Sequence, residues 1–151
     1  GTLRSPVARL RASAGGAPLR EGSIWVYTCQ LASAIAHIHS LNLMHLDIKP
    51  ENVFVHASGV LKVGDLGLAV SAHEWEEEEG DAVYIAPELL QSVATPAADV
   101  FSLSLCLYEL AACVQLPTAA PAGSQAWHEL RQAPLPFDPA LGRTELLQAT
   151  V

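Results

Sequence analysis

The stretch "HLDIKPENVFVHASGVLKVGDLG", residues 45–67, decides the fold, because it sets polar side chains between short apolar runs. "NVFV" and "VLKVG" have the composition of short strands, and the link "HASG" between them is rich in turn-forming residues. They predict a β-hairpin that directly follows the polar loop. A hairpin doubles the chain back, so we expect Asp65 to return beside Asn52. Gly67 allows the backbone to turn sharply there.

The polar residues of this stretch form the set that phosphoryl transfer requires. In that reaction the protein chiefly positions the reactants and neutralises the charge of the transferred group. One carboxylate faces the incoming hydroxyl, a second carboxylate and an amide oxygen suit Mg²⁺, and a lysine meets the phosphate as a point charge. The loop supplies Asp47, Lys49 and Asn52, and the far side of the hairpin supplies Asp65.

The segments that flank this stretch are predicted to be mainly helical. Ser23 is a candidate cap for a helix that runs to about Ser40, with apolar residues recurring every three or four positions. "LMH" after this helix predicts a very short strand. "APELL" predicts the start of another helix, with Pro87 in its first turn.

Residues 97–114 are apolar almost throughout, and part of this run alternates like a strand. The local pattern leaves a strand and a buried helix as equal alternatives. Length favours the helix, since strands average about five or six residues, so we expect one buried helix at about 98–113. "AWHELRQ" and "TELLQATV" predict two further helices.

The composition excludes several classes of function. The formal net charge of -8, with Lys49 and Lys62 as the only lysines, argues against a nucleic-acid binder. The longest apolar run is short for a membrane span of about 20 residues, so no transmembrane segment is expected in this chain. Cys29, Cys106 and Cys113 form no CxxC pair, which favours buried thiols in a reducing, intracellular setting. The acidic run "EWEEEEGD" is typical of a solvated loop.

Residues 45–88 resemble the catalytic core of the eukaryotic protein kinases. They carry H-x-D-x-K-x-x-N, then D-x-G, then A-P-E. The resemblance implies ATP and Mg²⁺ as cofactors and a protein as substrate. It also implies a fold that is mainly α with a short β-hairpin, namely the C-terminal lobe of the α+β protein-kinase fold, with the N-terminal lobe absent.

The resemblance implies a role for each matching residue. Asp47 would accept or orient the proton of the substrate hydroxyl, and Lys49 would contact the γ-phosphate. Asn52 and Asp65 would bind Mg²⁺, so the cofactor-binding set is Lys49, Asn52 and Asp65. The residues that would give structural support are His45, Gly67, Glu88 and Asp99.

Two of the supporting residues have implied partners. Asp99 would hold the backbone of the catalytic loop from the buried helix. Glu88 would pair with an arginine later in the family's fold, but neither Arg131 nor Arg143 lies at the expected place in the sequence.

A closer resemblance, from about residue 19 to 147, is to the Wee/Myt-type kinases, which phosphorylate and inhibit cyclin-dependent kinases. It rests on Leu46 where most kinases have arginine, on Gly80-Asp81 in place of the usual Gly-Thr, and on "TPAADVFSLSLCLYELA" and "WHELRQAPLP". Val83 departs from the subfamily's arginine. The resemblance implies a cyclin-dependent kinase as partner, a role in mitotic entry, and a location in the nucleus or cytoplasm. Because leucine cannot pair with phosphate, control by activation-loop phosphorylation is not expected.

A working kinase also needs a G-x-G-x-x-G loop and an upstream lysine, and the chain has neither. We therefore expect residues 1–151 to be a partial kinase domain, inactive by itself, with a catalytic loop at 45–52, a metal-binding and activation segment at 65–88, and the buried helix. A non-catalytic, kinase-derived binding module is the alternative. A third hypothesis, a non-kinase helical protein, leaves the four polar spacings unexplained. Without a small lobe, apolar groups near Leu43, Leu66 and Leu68 should be exposed.

Overall fold

Helices carry most of the apolar core, and two small antiparallel sheets position the polar loops. The structure is a computed structural model and describes residues 18–71, 74–75, 81–114, 116, 125–132 and 135–150. The elements are α1 (Glu21–Ser40), β1 (Leu43–Met44), β2 (Val53–Val55), β3 (Leu61–Val63), β4 (Val70–Ser71), α2 (Pro96–Ala112), α3 (Gln125–Gln132) and α4 (Glu145–Thr150), with 3-10 turns at Pro50–Asn52, Leu89–Gln91 and Pro139–Leu141.

Helix α1 ends at Ser40 as predicted but begins two residues before Ser23, so the predicted cap is wrong. Its N-cap is Arg20, which makes no side-chain capping bond. Glu21 in the first turn instead accepts hydrogen bonds from the backbone and the hydroxyl of Thr144, which dock this end of the helix against the start of α4. A long-range contact therefore sets the start of α1, and no local capping signal could reveal it.

Helix α2 confirms the prediction of one buried helix at about 98–113, since it spans Pro96–Ala112. Thr95 precedes it in extended conformation, and Pro96 occupies the first helical position, which suits proline. Every residue from 105 to 112 is buried, so the second half of the helix is covered on every side, whereas Val100 near its start is 52% exposed. A segment that is buried all round has no single apolar face, which explains why its sequence pattern was ambiguous.

The predicted hairpin is confirmed. Strands β2 and β3 pair antiparallel in the register Val53↔Val63, Phe54↔Lys62 and Val55↔Leu61. Gly59 turns the chain with a φ of +82°, a conformation that glycine adopts without strain. The short strand at Leu43–Met44 is also confirmed, but its partner β4 was not predicted. This second pairing brings the end of α1 next to the chain that follows the hairpin.

The helix predicted from "APELL" is wrong. The chain makes a turn at Pro87 and then a single 3-10 turn, Leu89–Gln91. Ser92 ends it in the left-handed region with a φ of 61°, so the helix cannot continue. Residues 83–86 before it are buried, and tertiary packing holds this segment in its irregular path. The other two predicted helices, α3 and α4, are present.

Two expectations about exposure are only partly met. Leu66 is 59% exposed, but Leu43 and Leu68 are half-buried, the latter in a cavity wall beside Trp75. Cys106 is buried, whereas Cys29 is exposed on α1, so the prediction of buried thiols is wrong for Cys29; all three cysteines are free. The central part of the acidic run, residues 76–80, lies outside the described residues. None of the described helices has the length and apolar character needed to cross a membrane.

Candidate active site

Asp47 is the centre of a compact polar cluster in the loop between β1 and β2. Its Oδ2 atom lies 2.9 Å from Lys49 Nζ and accepts a hydrogen bond from Asn52 Nδ2 at 2.8 Å. Asn52 Nδ2 also donates to the Asp47 carbonyl at 2.8 Å, which closes the loop into a tight turn. Three of the four residues predicted to carry the chemistry are therefore in direct contact.

The other carboxylate oxygen of Asp47, Oδ1, is buried and has no hydrogen-bond partner among the described residues. Buried polar atoms are nearly always paired, so an unpaired one points to a partner that arrives from outside. A carboxylate accepts but cannot donate, and the missing partner is therefore a donor, such as a hydroxyl. The geometry leaves one oxygen of Asp47 locked by the loop and the other free to act.

Asp99 of α2 holds the backbone of this loop. Its Oδ2 accepts from His45 N and its Oδ1 from Leu46 N, each at 2.8 Å, and the carboxylate is buried. His39 of α1 donates its Nε2 proton to the same Oδ2 at 2.8 Å. Leu46 has a φ of 60°, a strained conformation for a leucine. The two hydrogen bonds that Asp99 accepts hold the backbone in this strained conformation. The strained turn directs Asp47 into the site.

His45 links the two loops that carry the acidic residues. Its Nδ1 accepts from Asp47 N at 3.3 Å, so the ring proton lies on Nε2, which donates to Gly64 O at 3.1 Å. Gly64 N in turn donates to Asn52 O at 2.9 Å. Gly64 leaves room for the Phe54 ring, because a Cβ at this position would lie 2.7 Å from an edge atom of the ring and force it to shift. These contacts bring Asp65 back beside Asn52, as the hairpin predicts.

Asp65 follows Gly64 with a φ of 61°, which an aspartate tolerates better than most residues. Its side chain is exposed, and Oδ1 accepts one long hydrogen bond of 3.4 Å from Gly67 N. Among the described residues, none donates to the Asn52 amide oxygen. A carboxylate and a free amide oxygen fit Mg²⁺, which prefers oxygen ligands and keeps water or phosphate in its shell. In the described part of the chain, no cluster of three or more His, Cys, Asp or Glu side chains forms a complete metal site.

Lys49 is shared between two carboxylates. Besides its contact with Asp47, its Nζ lies 3.8 Å from Oδ2 of Asp81, the residue that stands where threonine is usual. Burial acts to lower the pKa of Lys49, but the bond to Asp47 and the surrounding carboxylates outweigh it and raise that pKa above its usual value. Lys49 therefore stays charged across the physiological range and can bind an anionic phosphate.

A sequence model described as "Protein kinase domain" matches residues 8–143.

The chain belongs to the protein kinase family.

Similar kinases agree with the closer resemblance. A probable protein kinase of Dictyostelium discoideum is 44% identical over 119 residues, which is 79% of this chain and 33% of that protein. The mitosis inhibitor protein kinase wee1 of Schizosaccharomyces pombe is 38% identical over 130 residues, 84% of this chain and 14% of that protein. The membrane-associated tyrosine- and threonine-specific cdc2-inhibitory kinase of Drosophila melanogaster is 39% identical over 120 residues, 77% and 22% of the two chains. The resemblance to Wee/Myt-type kinases is confirmed.

The chain spans only part of the relatives it matches, from 10% to 33% of their length in the most similar proteins. The activity and partners of a whole kinase are therefore matters of proposal for this chain.

Glu88 has no basic partner among the described residues. Glu88 is half-buried, and among the described residues no basic group lies within salt-bridge distance of its carboxylate. Arg131 instead donates to the carbonyls of Val83 and Ile85, and Arg143 to those of Ala111 and Leu19. Among the described residues, both arginines donate to backbone oxygens of this kinase domain.

Sequence reasoning missed His39, Asp81 and Arg131 as contributors to the site. His39 contacts Asp99 across 60 positions and Arg131 contacts Ile85 across 46, so no local spacing could reveal either contact. Asp81 did carry a signal, since it departs from the usual threonine. Its contact with Lys49 follows only when the segment after the acidic run folds back onto the catalytic loop.

Proposed function

We propose that the protein containing this chain is a protein kinase that transfers the γ-phosphate of ATP to a protein hydroxyl. The observation that carries this proposal is the asymmetry of Asp47. One carboxylate oxygen is held by Lys49 and Asn52, and the other is buried and unpaired among the described residues. A general base or a group that orients a hydroxyl needs this combination of a fixed position and a free acceptor atom.

Each polar residue then has a role that its contacts support. Asp47 Oδ1 would accept the hydrogen bond of the substrate hydroxyl and orient it toward the phosphate. Lys49 would neutralise charge on the transferred group, because its ammonium is fixed within the site. Asn52 and Asp65 would hold Mg²⁺, which when bound neutralises and orients the ATP phosphates. His45 and Asp99 would keep the loop in its strained shape.

We also assign the chain to the C-terminal lobe of the kinase domain, as a partial domain with a catalytic loop at 45–52 and a metal-binding and activation segment at 65–88. The predominance of helices among the described residues and the single hairpin beside the catalytic loop support this assignment. The absence of G-x-G-x-x-G from the sequence agrees with it. The phosphate-covering loop and the lysine that grips ATP would belong to a small lobe that this sequence does not include.

The proposed substrate is a cyclin-dependent kinase, and the proposed outcome is inhibition of mitotic entry inside the cell, in the nucleus or cytoplasm. Support comes from the relatives, among them the mitosis inhibitor protein kinase of Schizosaccharomyces pombe and the cdc2-inhibitory kinase of Drosophila melanogaster. Leu46 and Asp81 add to it, because both depart from the usual kinase residues in the way the Wee/Myt type does.

The test is phosphate transfer by the full-length protein to a catalytically inactive cyclin-dependent kinase, with ATP and Mg²⁺, followed by mass spectrometry of the acceptor. We expect phosphate near the acceptor's ATP site and none with the Asp47→Asn variant. Glu129→Gln, which removes an exposed charge from α3, is the matched control and should transfer at the normal rate. Binding of the partner without any transfer would favour the non-catalytic module.

A further inference from the structure

Residues 82–85, which we call the anchored segment, directly adjoin the active site in the chain. They follow Asp81, whose carboxylate lies 3.8 Å from Lys49 Nζ. Three successive carbonyls of the segment accept hydrogen bonds from side chains of other elements. Arg131 donates to Val83 O at 2.8 Å and to Ile85 O at 2.7 Å, and Ser102 donates to Tyr84 O at 2.8 Å. All three of these carbonyls are therefore paired, although the backbone here is not part of a helix or a strand.

The amide side of the anchored segment is also occupied. Val83 N donates to the Asp81 carboxylate, and the amides of Tyr84 and Ile85 donate to the Asp81 carbonyl. The Tyr84 hydroxyl donates to Glu109 of α2 at 3.0 Å, and burial together with the charge of Glu109 raises the pKa of Tyr84, so this donor keeps its proton. Since residues 83–85 have their backbone groups paired inward, a bound peptide would meet this segment by shape and not by strand pairing.

Arg131 is the contact that ties the anchored segment to α3. Its Nε also donates to Ile85 O at 3.1 Å. Two nitrogens of the guanidinium, Nε and Nη2, therefore donate to the Ile85 carbonyl, and Nη2 also donates to the Val83 carbonyl. The guanidinium lies 5.6 Å from the centre of the Phe101 ring of α2, within the range of a cation–π contact. Burial lowers the pKa of Arg131 to about 10, and the side chain remains charged at neutral pH. Lysine could not reproduce this fork.

We propose that Arg131 is a positioning residue for the protein substrate: it holds the anchored segment as the wall of the acceptor site next to Asp81, without touching ATP or the transferred phosphate. The inference rests on the proposed kinase function. A protein whose hydroxyl reaches Asp47 must continue past Lys49 and Asp81, and the adjoining surface is this segment. Ala82 is its exposed residue, while 83–85 are buried, so a substrate would contact the wall chiefly at Ala82. Its position depends on the fork of Arg131.

Arg131→Lys in the full-length protein tests this role, with Arg143→Lys as the matched control. Arg143 also donates to two backbone carbonyls, but at the opposite end of α2, away from the acceptor site. The probe is a catalytically inactive cyclin-dependent kinase. For Arg131→Lys we expect its KM to rise about tenfold, the loss expected for one charge-assisted hydrogen bond, with kcat and the KM for ATP within about twofold. Arg143→Lys should leave the protein-substrate KM within about twofold.

A second readout separates positioning from general damage. Slow ATP hydrolysis without a protein substrate uses Asp47, Lys49 and the metal ligands but no acceptor wall, so Arg131→Lys should not change it. An unchanged protein KM, or a parallel loss of hydrolysis and transfer, would overturn the proposal.

Failure of the kinase function itself would look different. A wild-type protein that transfers no phosphate would overturn the proposed function and the substrate role with it. Hydrogen exchange would still decide whether Arg131 holds the segment. Faster exchange of the amides of residues 82–86 in Arg131→Lys, and not in Arg143→Lys, supports that hold, whereas equal exchange in both contradicts it.

Discussion

The two acidic residues of the site are held in opposite ways. Asp47 has a side chain only 11% exposed, and Lys49 and Asn52 fix one of its oxygens. Asp65 is exposed, and its carboxylate accepts one long bond from Gly67 N among the described residues. Protein contacts place the first carboxylate, whereas the second has few contacts among the described residues. The site therefore combines a preorganised acceptor with an exposed carboxylate, the one that we propose as a metal ligand.

The surrounding backbone shows the same contrast. The turn at Leu46 is strained, and the buried Asp99 carboxylate holds it with two hydrogen bonds. The turn at Asp65 has nearly the same φ, but aspartate tolerates it, and the peptide group before it is held by one hydrogen bond, from His45 Nε2 to Gly64 O. The strain that needs support lies next to Asp47, the proposed hydroxyl acceptor, and the tolerant residue is Asp65, the proposed metal ligand.

The largest effect should come from Asp47→Asn in the full-length protein. Asparagine keeps the size of the side chain but removes the basic oxygen, so kcat should fall by roughly a thousandfold. The KM for ATP should change little. Single-turnover assays measure this, and a rate near that of the wild type would exclude Asp47 as the group that acts on the hydroxyl.

Asp65→Asn should act through the metal and not through the fold. We expect roughly a hundredfold loss of transfer and a higher Mg²⁺ requirement, because a charged ligand is lost. Without nucleotide and metal, the melting temperature should stay the same, since the side chain is exposed and makes one long bond. A clear drop in the melting temperature of the free protein would show that Asp65 is a structural residue, and the contrast with Asp47 would fail.

Asp99→Asn should weaken the support of the turn at Leu46 that positions Asp47. One amide oxygen cannot replace two carboxylate oxygens that accept from His45 N and Leu46 N, and the change should cost about 2–3 kcal/mol of the free energy of unfolding. Denaturant unfolding monitored by circular dichroism measures the loss. Asp138→Asn is the matched control, because an asparagine can keep the exposed capping bond to Ala140 N. Equal stabilities of the two variants would contradict the role of Asp99.

The smallest effect should come from phosphatase treatment of the active protein. Leu46 is buried against Met44, Ala86 and Ala98, with Trp75 packed on the same cluster, so an apolar contact occupies the place of a phosphate-binding arginine. Removing phosphate should leave the rate within a few-fold. Kinase assays before and after treatment check this, and a large loss would mean that another basic group reads a phosphate in this region.

The sequence by itself determined the hairpin, the buried helix and the four polar residues of the site. Each depends on a local rule: strand-like runs around a turn, an apolar run too long for a strand, and polar spacings that suit phosphoryl transfer. Periodicity is a short-range property, so such elements are readable from neighbouring residues. The start of α1 and the path of residues 85–91 were misread for the same reason. In both places, packing against distant residues overrides the local signal.

Only the tertiary structure decided how the site is supported. The pairing of β1 with β4, the contact of His39 with Asp99, and the grip of Arg131 on residues 83 and 85 all join segments far apart in the chain. Each requires distant elements to pack together, because only the packed fold brings the two partners within hydrogen-bond distance. The free energy of such a contact depends on the burial and geometry of both partners, which no local pattern in the sequence contains.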